Sequence, residues 1–200
     1  MRLLYFVLVS LVLGMVVGKI TTFDFGSFYE LMLHLLIFII GVDIGKSDIL
    51  PALTDGAFLT TKGKMALLLP VATIIGSLIG GFLASMLLGV SLKWGLGIAA
   101  GFGWYSLTGP LLAAYSPIYG VVGFLANLTR EILTIIFYPV AIKRIPKEVG
   151  IVMGGATTMD TTLPIIAKFG GTEITLLAFV HGFILTAIAP FLIPLILQFF

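Results

Sequence analysis

From Met65 to Gly89 the chain carries no charged side chain, and Lys64 and Lys93 are the nearest charges on either side. A helix needs about 20 mostly apolar residues to cross a bilayer core of about 30 Å, and this run supplies them. Four more runs read the same way: Leu3 to Gly18, Phe28 to Val42, Ile118 to Ile142 and Ile174 to Phe199. Hydrophobic residues make up 60% of the chain and charged ones 10%, which leaves too little polar surface for a water-soluble domain. The expectation is an all-α integral membrane protein, folded as a single transmembrane domain over residues 1–200. The apolar run after Arg2 meets no small-residue cleavage site before Lys19, so it reads as a retained first helix rather than a secretory signal.

Two further segments are apolar but interrupted. Gly95 to Tyr115 contains GFGWYSLTGP, and Val149 to Ile166 contains GGATTMDTTLP. Glycine and proline near the middle of each deprive several backbone groups of helical partners. Such backbone is tolerated at membrane depth only where it is buried in protein or lines a cavity, so each segment is a broken spanning helix or a re-entrant hairpin.

Charge separates the two options. If both segments cross, the lysines and arginines outside the helices divide five against five. If both are re-entrant, Arg2, Lys46, Lys62, Lys64, Lys143, Arg144, Lys147 and Lys168 share one side against Lys19 and Lys93. The second division obeys the positive-inside rule. It predicts about five spanning helices and two hairpins entering from opposite faces, with a cytoplasmic N-terminus and an external C-terminus.

The interrupted segments also align with each other. Gly97-Ile98 matches Gly150-Ile151, Gly101 matches Gly154, and Pro110 matches Pro164 with one residue of slippage. With hairpins entering from opposite faces, each hairpin-plus-helix unit becomes an inverted copy of the other, the arrangement that lets secondary transporters place a site at the midplane.

The acidic residues narrow the candidates. Asp24, Glu30, Asp48, Asp55, Glu148 and Glu173 fall in loops or at helix ends, where solvated surface explains them. Asp43, Glu131 and Asp160 remain. A charge at a helix centre costs about 2.5 to 3.5 kcal/mol on insertion scales, so each of these should face protein or water. Glu131 follows Arg130, but adjacent helical residues diverge by about 100 degrees and do not face each other. Asp160 lies among Thr157, Thr158, Thr161 and Thr162, where carboxylate, hydroxyls and exposed carbonyls suit a cation or an ammonium group; a hairpin cap is the plainer role. Asp43, near Lys46, suits a helix cap as well as a binding role.

The first hairpin offers Trp104 and Tyr105 as rigid walls and Ser106 as a hydroxyl, although aromatic side chains also anchor at membrane interfaces. Asn127 precedes Glu131 by one helical turn and shares its face. His181, in the last helix, suits an interhelical hydrogen bond.

Other chemistries find little support. The chain has no cysteine, its two histidines lie on distant helices without HExxH spacing, and neither GxSxG nor GxGD occurs, so no metal, cofactor or enzyme activity is expected. A net charge of +2 on scattered basic residues does not suit nucleic acid.

The three motifs GFGWYSLTGP, NLTREI and GGATTMDTTLP, in this order, closely resemble the lysine exporter (LysO) family of prokaryotic inner-membrane transporters. The resemblance runs from GVDIG to the end of the chain. It implies export of L-lysine and lysine analogues, with acidic membrane residues important for transport, which places emphasis on Glu131 and Asp160. Well-known bacterial members are longer at the N-terminus and carry additional spanning helices, so a compact member is expected to form a homodimer or to differ in substrate. The expected mechanism is proton antiport, with sodium as the other coupling ion. Carboxylates would alternately bind a proton and the substrate's ammonium group. A carrier of another solute and a passive channel are the rival readings.

Overall fold

The structure is a computed structural model that describes residues 2–21 and 63–200, together with positions 28, 31, 35, 38 and 42. Asp43 and the polar loop after it lie outside the described residues. The chain divides into two compact units, Met1–Leu36 and Ile37–Phe200.

In the first unit, α1 runs Arg2–Ile20. Its 19 residues give a length of about 28 Å, close to the thickness of a bilayer core. Large apolar side chains from Val12 to Ile20 are exposed, as suits contact with lipid. Thr21 closes the helix by directing both its N–H (2.9 Å) and its hydroxyl (3.1 Å) to the Val17 carbonyl.

The second unit contains three helices long and apolar enough to cross a membrane, all among the described residues. They are α2 (Gly63–Leu88), α5 (Pro117–Ala141) and α8 (Thr172–Phe199). The protein is therefore an all-helical membrane protein. Between α2 and α5 lie α3 (Leu92–Ala99) and α4 (Tyr105–Ala113). Between α5 and α8 lie α6 (Lys147–Gly150), two 3₁₀ turns at Ile151–Met153 and Gly155–Met159, and α7 (Leu163–Gly170).

Each interrupted segment folds back on itself. A Cβ placed at Gly97 in α3 would stand 3.3 Å from the Leu112 side chain in α4, whereas an unbroken helix would hold these positions about 22 Å apart. The turn is made at Phe102 (φ 50°) and Gly103 (φ 94°). A left-handed non-glycine residue is strained, so surrounding contacts must hold Phe102 there; its side chain is fully buried. The second segment behaves alike. Gly150 and Gly170 both pack on the Tyr138 side chain, an added Cβ standing 3.0 Å from its ring and 3.2 Å from its hydroxyl respectively, where a continuous helix would separate them by about 30 Å.

The hairpins enter from opposite ends of α5. The first has its base beside Pro117: Ala113 touches Gly120, and Tyr105 meets Phe124 edge to face at 5.2 Å. Its tip reaches Asn127, about 15 Å along α5. The second has its base beside Tyr138 and Ile142 near the other end. The two tips meet, with the Ala156 N–H donating to the Phe102 carbonyl at 2.8 Å. Gly155, at φ 62°, lies so close to that carbonyl that any Cβ would collide with it.

Small residues allow these approaches. In α2 and α3 a Cβ on Gly81 or Gly95 would stand 2.6 Å from the other's carbonyl oxygen, the kind of contact that membrane helices use in place of a hydrophobic drive. Around the second hairpin, Leu69, Tyr138, Ile151, Ile166 and Leu177 form the buried apolar core.

Candidate functional site

Arg130 and Glu131 stand side by side on α5 and point into different surroundings. The Arg130 guanidinium donates from Nε to the Met153 carbonyl (3.0 Å), from Nη2 to the Val152 carbonyl (3.0 Å) and from Nη1 to the Ser77 hydroxyl on α2 (2.9 Å). It thus supplies donors to two carbonyls where the second hairpin departs from α-helical bonding. Leaving such carbonyls unsatisfied in lipid would be costly.

Glu131 faces the other way. Its side chain is 5% exposed and its Oε2 atom is buried without a hydrogen-bond partner. Thr161 lies within hydrogen-bonding reach of the carboxylate, Asp160 within electrostatic reach, and Tyr105 within electrostatic reach of both acids. Asp160 itself is exposed. Its Oδ1 accepts from the Thr161 N–H (2.5 Å) and hydroxyl (3.3 Å). The residues 104–106 flank the first hairpin's turn, where the Trp104 indole donates to the Ser106 hydroxyl at 3.0 Å. A buried acid, an exposed acid, a tyrosine and a threonine thus gather where the two tips meet.

Other candidates are engaged in holding the fold. Asn127 accepts from the Gly103 N–H (2.6 Å) and donates to the Ile98 and Gly123 carbonyls (3.0 and 2.9 Å), so both its amide hydrogens are occupied. The threonine cluster divides. Thr157 bonds the Gly154 carbonyl and pairs with Thr162, and Thr158 bonds the Gly155 and Ala178 carbonyls, leaving Thr161 as the hydroxyl beside the acids. His181 bridges Thr73 on α2 (2.8 Å) and Thr158 (3.0 Å), so each ring nitrogen has a partner, one donating and one accepting.

Ser77 and Arg130, which were not among the candidate site residues, join α2 to α5. Ser77 is an ordinary serine in an apolar helix, and its pairing with a residue 53 positions away leaves no local signal. Arg130 did carry one: a cation inside an apolar run must find partners.

Two grooves approach the Arg130–Ser77 pair. One, of about 410 Å³, is lined from Leu88, Val90 and Tyr119 at one end of the helices to Asn127, Ser77 and Arg130. The other, of about 520 Å³, is lined from Ile145 and Val149 at the opposite end to Thr73, Ser77 and Arg130. Neither is lined by Glu131 or Asp160. The acidic cluster and the grooves occupy different sides of α5.

Residues 6–197 match the model of the family described as lysine exporter LysO. The chain is 34% identical over 169 residues to the Lysine exporter LysO of Escherichia coli (strain K12), an alignment covering 82% of this chain and 53% of that protein. It is also 34% identical over 200 residues to the "Putative lysine exporter" of Haemophilus influenzae, covering 100% of this chain and 96% of that protein. The chain therefore spans about half the length of the Escherichia coli relative and nearly all of the other. No solved structure matches. With the match running along almost the whole chain, this protein belongs to the lysine exporter LysO family.

Proposed function

We propose that this protein exports L-lysine and related cationic amino acids from the cytoplasm as a secondary transporter, by proton antiport. The observation that carries the reading is the buried Glu131 carboxylate, with Oε2 unpartnered, beside Asp160 at the meeting point of two hairpin tips. A carboxylate kept at membrane depth with one oxygen unpartnered is available for a proton in one state and for an ammonium group in another. Asp160, Thr161, Tyr105, Trp104 and Ser106 would complete the site on its open side, with Asp43 as a further acid. Asn127, Thr157, Thr158 and Thr162 would serve it by holding the hairpins in place. The two relatives, both named as lysine exporters, support the substrate, and a transporter family supports a carrier rather than an enzyme.

Orientation follows from charge. Lys64, Lys143, Arg144, Lys147 and Lys168 lie toward the end of the second unit where α2 begins, and Lys93 lies toward the other. The positive-inside rule places the first end in the cytoplasm of an inner-membrane protein, the C-terminus outside and the N-terminus inside. The hairpin-plus-helix units then act as an inverted pair around a midplane site. An exposed Asp160 at that depth cannot face lipid, so protein or water covers it; a homodimer is the arrangement we favour.

The test is lysine accumulation in proteoliposomes under an imposed pH gradient, with wild type beside Glu131→Gln and Asp160→Asn. Uphill uptake that disappears in both variants supports the carrier and its acids together. Unchanged uptake in both would remove these residues from the mechanism, and movement only down the lysine gradient would make the protein a channel. Uptake driven by sodium alone would replace the coupling ion.

A further inference from the structure

The two grooves end on the same two side chains. Ser77 and Arg130 line both, and the 2.9 Å hydrogen bond between them is the contact that lies between a groove opened toward Leu88 and Tyr119 and one opened toward Ile145 and Val149. We infer that Arg130 anchors the α-carboxylate of the transported amino acid, and that its bond to Ser77 is the partition the substrate must break to pass from one groove to the other. The inference rests on the reading of the substrate as an amino acid.

Arg130 is built for such a task. A guanidinium carries five N–H donors, and three are engaged among the described residues. One N–H remains on each terminal nitrogen, the pair that can grip a carboxylate with two parallel bonds. Its three partners among the described residues are neutral oxygens, two carbonyls and a hydroxyl. A cation at membrane depth whose partners among the described residues are all neutral leaves its charge open to an anionic ligand.

The Ser77 hydroxyl is the one of the three anchors that lies outside the second hairpin. It is a neutral side chain on a different helix, whereas the two carbonyls belong to consecutive residues of the hairpin that Arg130 clamps. A carboxylate offers a charge-assisted bond, which is stronger than a bond to a neutral hydroxyl, so it can displace Ser77 without releasing the hairpin.

The groove itself fits the remainder of the ligand. Its volume falls within the range of about 300 to 1,000 Å³ of small-molecule sites. Apart from the polar end at Ser77, Asn127 and Arg130, residues such as Gly80, Ala84, Leu88 and Ala99 offer an apolar wall for a methylene chain. Carboxylate recognition at Arg130 and ammonium recognition at the acidic cluster would then fall on opposite sides of α5, so that a substrate would engage them in different steps.

Because the chain has no native cysteine, one can be placed at Gly80 in the first groove or Ala72 in the second and labelled with a membrane-impermeant thiol reagent from each side. Lysine is expected to protect the cysteine at position 80, while 1,5-diaminopentane, which is lysine without its carboxylate, is not. Arg130→Lys keeps the charge but loses the fork, and should raise the concentration of lysine needed for protection about tenfold or more. Ser77→Ala leaves the hairpin clamp intact and should make both cysteines reactive from one side, by several-fold in rate, with or without lysine. Equal protection by the diamine would overturn the carboxylate anchor. Labelling of each cysteine from its own side only in Ser77→Ala would overturn the partition. If lysine protects at neither position but another amino acid does, the substrate reading fails while the anchor stands. The Ser77→Ala labelling needs no substrate at all.

Discussion

The two hairpins are held by opposite strategies. The first is rich in glycine, and its turn is fastened to α5 by one external side chain, Asn127, which contacts Gly103 and Ile98. The second is rich in threonine and largely satisfies itself, with Thr157 and Thr158 bonding their own hairpin's carbonyls, and it is also gripped from outside by Arg130 and His181. Where broken backbone brings its own hydroxyls, several weak anchors share the task. Where it brings few, as with Thr108 bonding the Trp104 carbonyl in the first hairpin, a single amide from α5 fastens the turn.

Gly155→Ala should give the largest effect on this contrast, because it strikes where the hairpins touch. A Cβ there collides with the Phe102 carbonyl from a backbone at φ 62°, and the strain and overlap together should cost about 3 kcal/mol or more. Recovery of monodisperse protein after detergent extraction should fall sharply; a variant that melts within a degree or two of wild type would show that the tips are not tightly joined. Asn127→Ala should come next, at about 2 to 4 kcal/mol, since it leaves the buried Gly103 N–H without its partner. Thiol labelling at position 102 should rise in this variant while labelling at position 156 stays low, and an equal rise at both would mean that the hairpins move as one. His181→Leu should cost least, about 0.6 kcal/mol and at most about 1.7, the range for hydrogen bonds between membrane helices. Thr73 and Thr158 keep carbonyl partners when the imidazole is gone, which is why the loss stays small. A fall in melting temperature as large as that of Asn127→Ala would mean that the second hairpin also hangs on one residue.

Much of this was legible along the chain. The apolar runs predict α2, α5 and α8 to within a few residues, since a bilayer core demands about 20 apolar residues whatever surrounds them. The breaks at GFGWYSLTGP and GGATTMDTTLP are equally local, because glycine and proline interrupt a helix by their own geometry. That Glu131 and Asp160 lie near each other follows from placing two broken segments against one helix, and the motif resemblance named the family.

Other features were beyond local reading. Asn127 shares a helix face with Glu131 in the sequence, and only the fold shows its amide bonding backbone twenty or more residues away, at Gly103 and Ile98. The threonine cluster looked uniform, and only the turn of the 3₁₀ segment separates Thr161 from the three buried hydroxyls. Arg130 and Glu131, neighbours in the chain, were divided between a backbone clamp and a buried acid by the 100-degree step of the helix.

What the sequence determined by itself is the solvent and the punctuation: hydrophobic length selects the bilayer, and glycine and proline mark where helices must stop. What only the tertiary structure decided is which orphaned backbone group meets which side chain. That pairing depends on hairpins folding back and meeting from opposite ends, and no local preference specifies a hydrogen bond between residues 53 positions apart, such as the one joining Arg130 to Ser77.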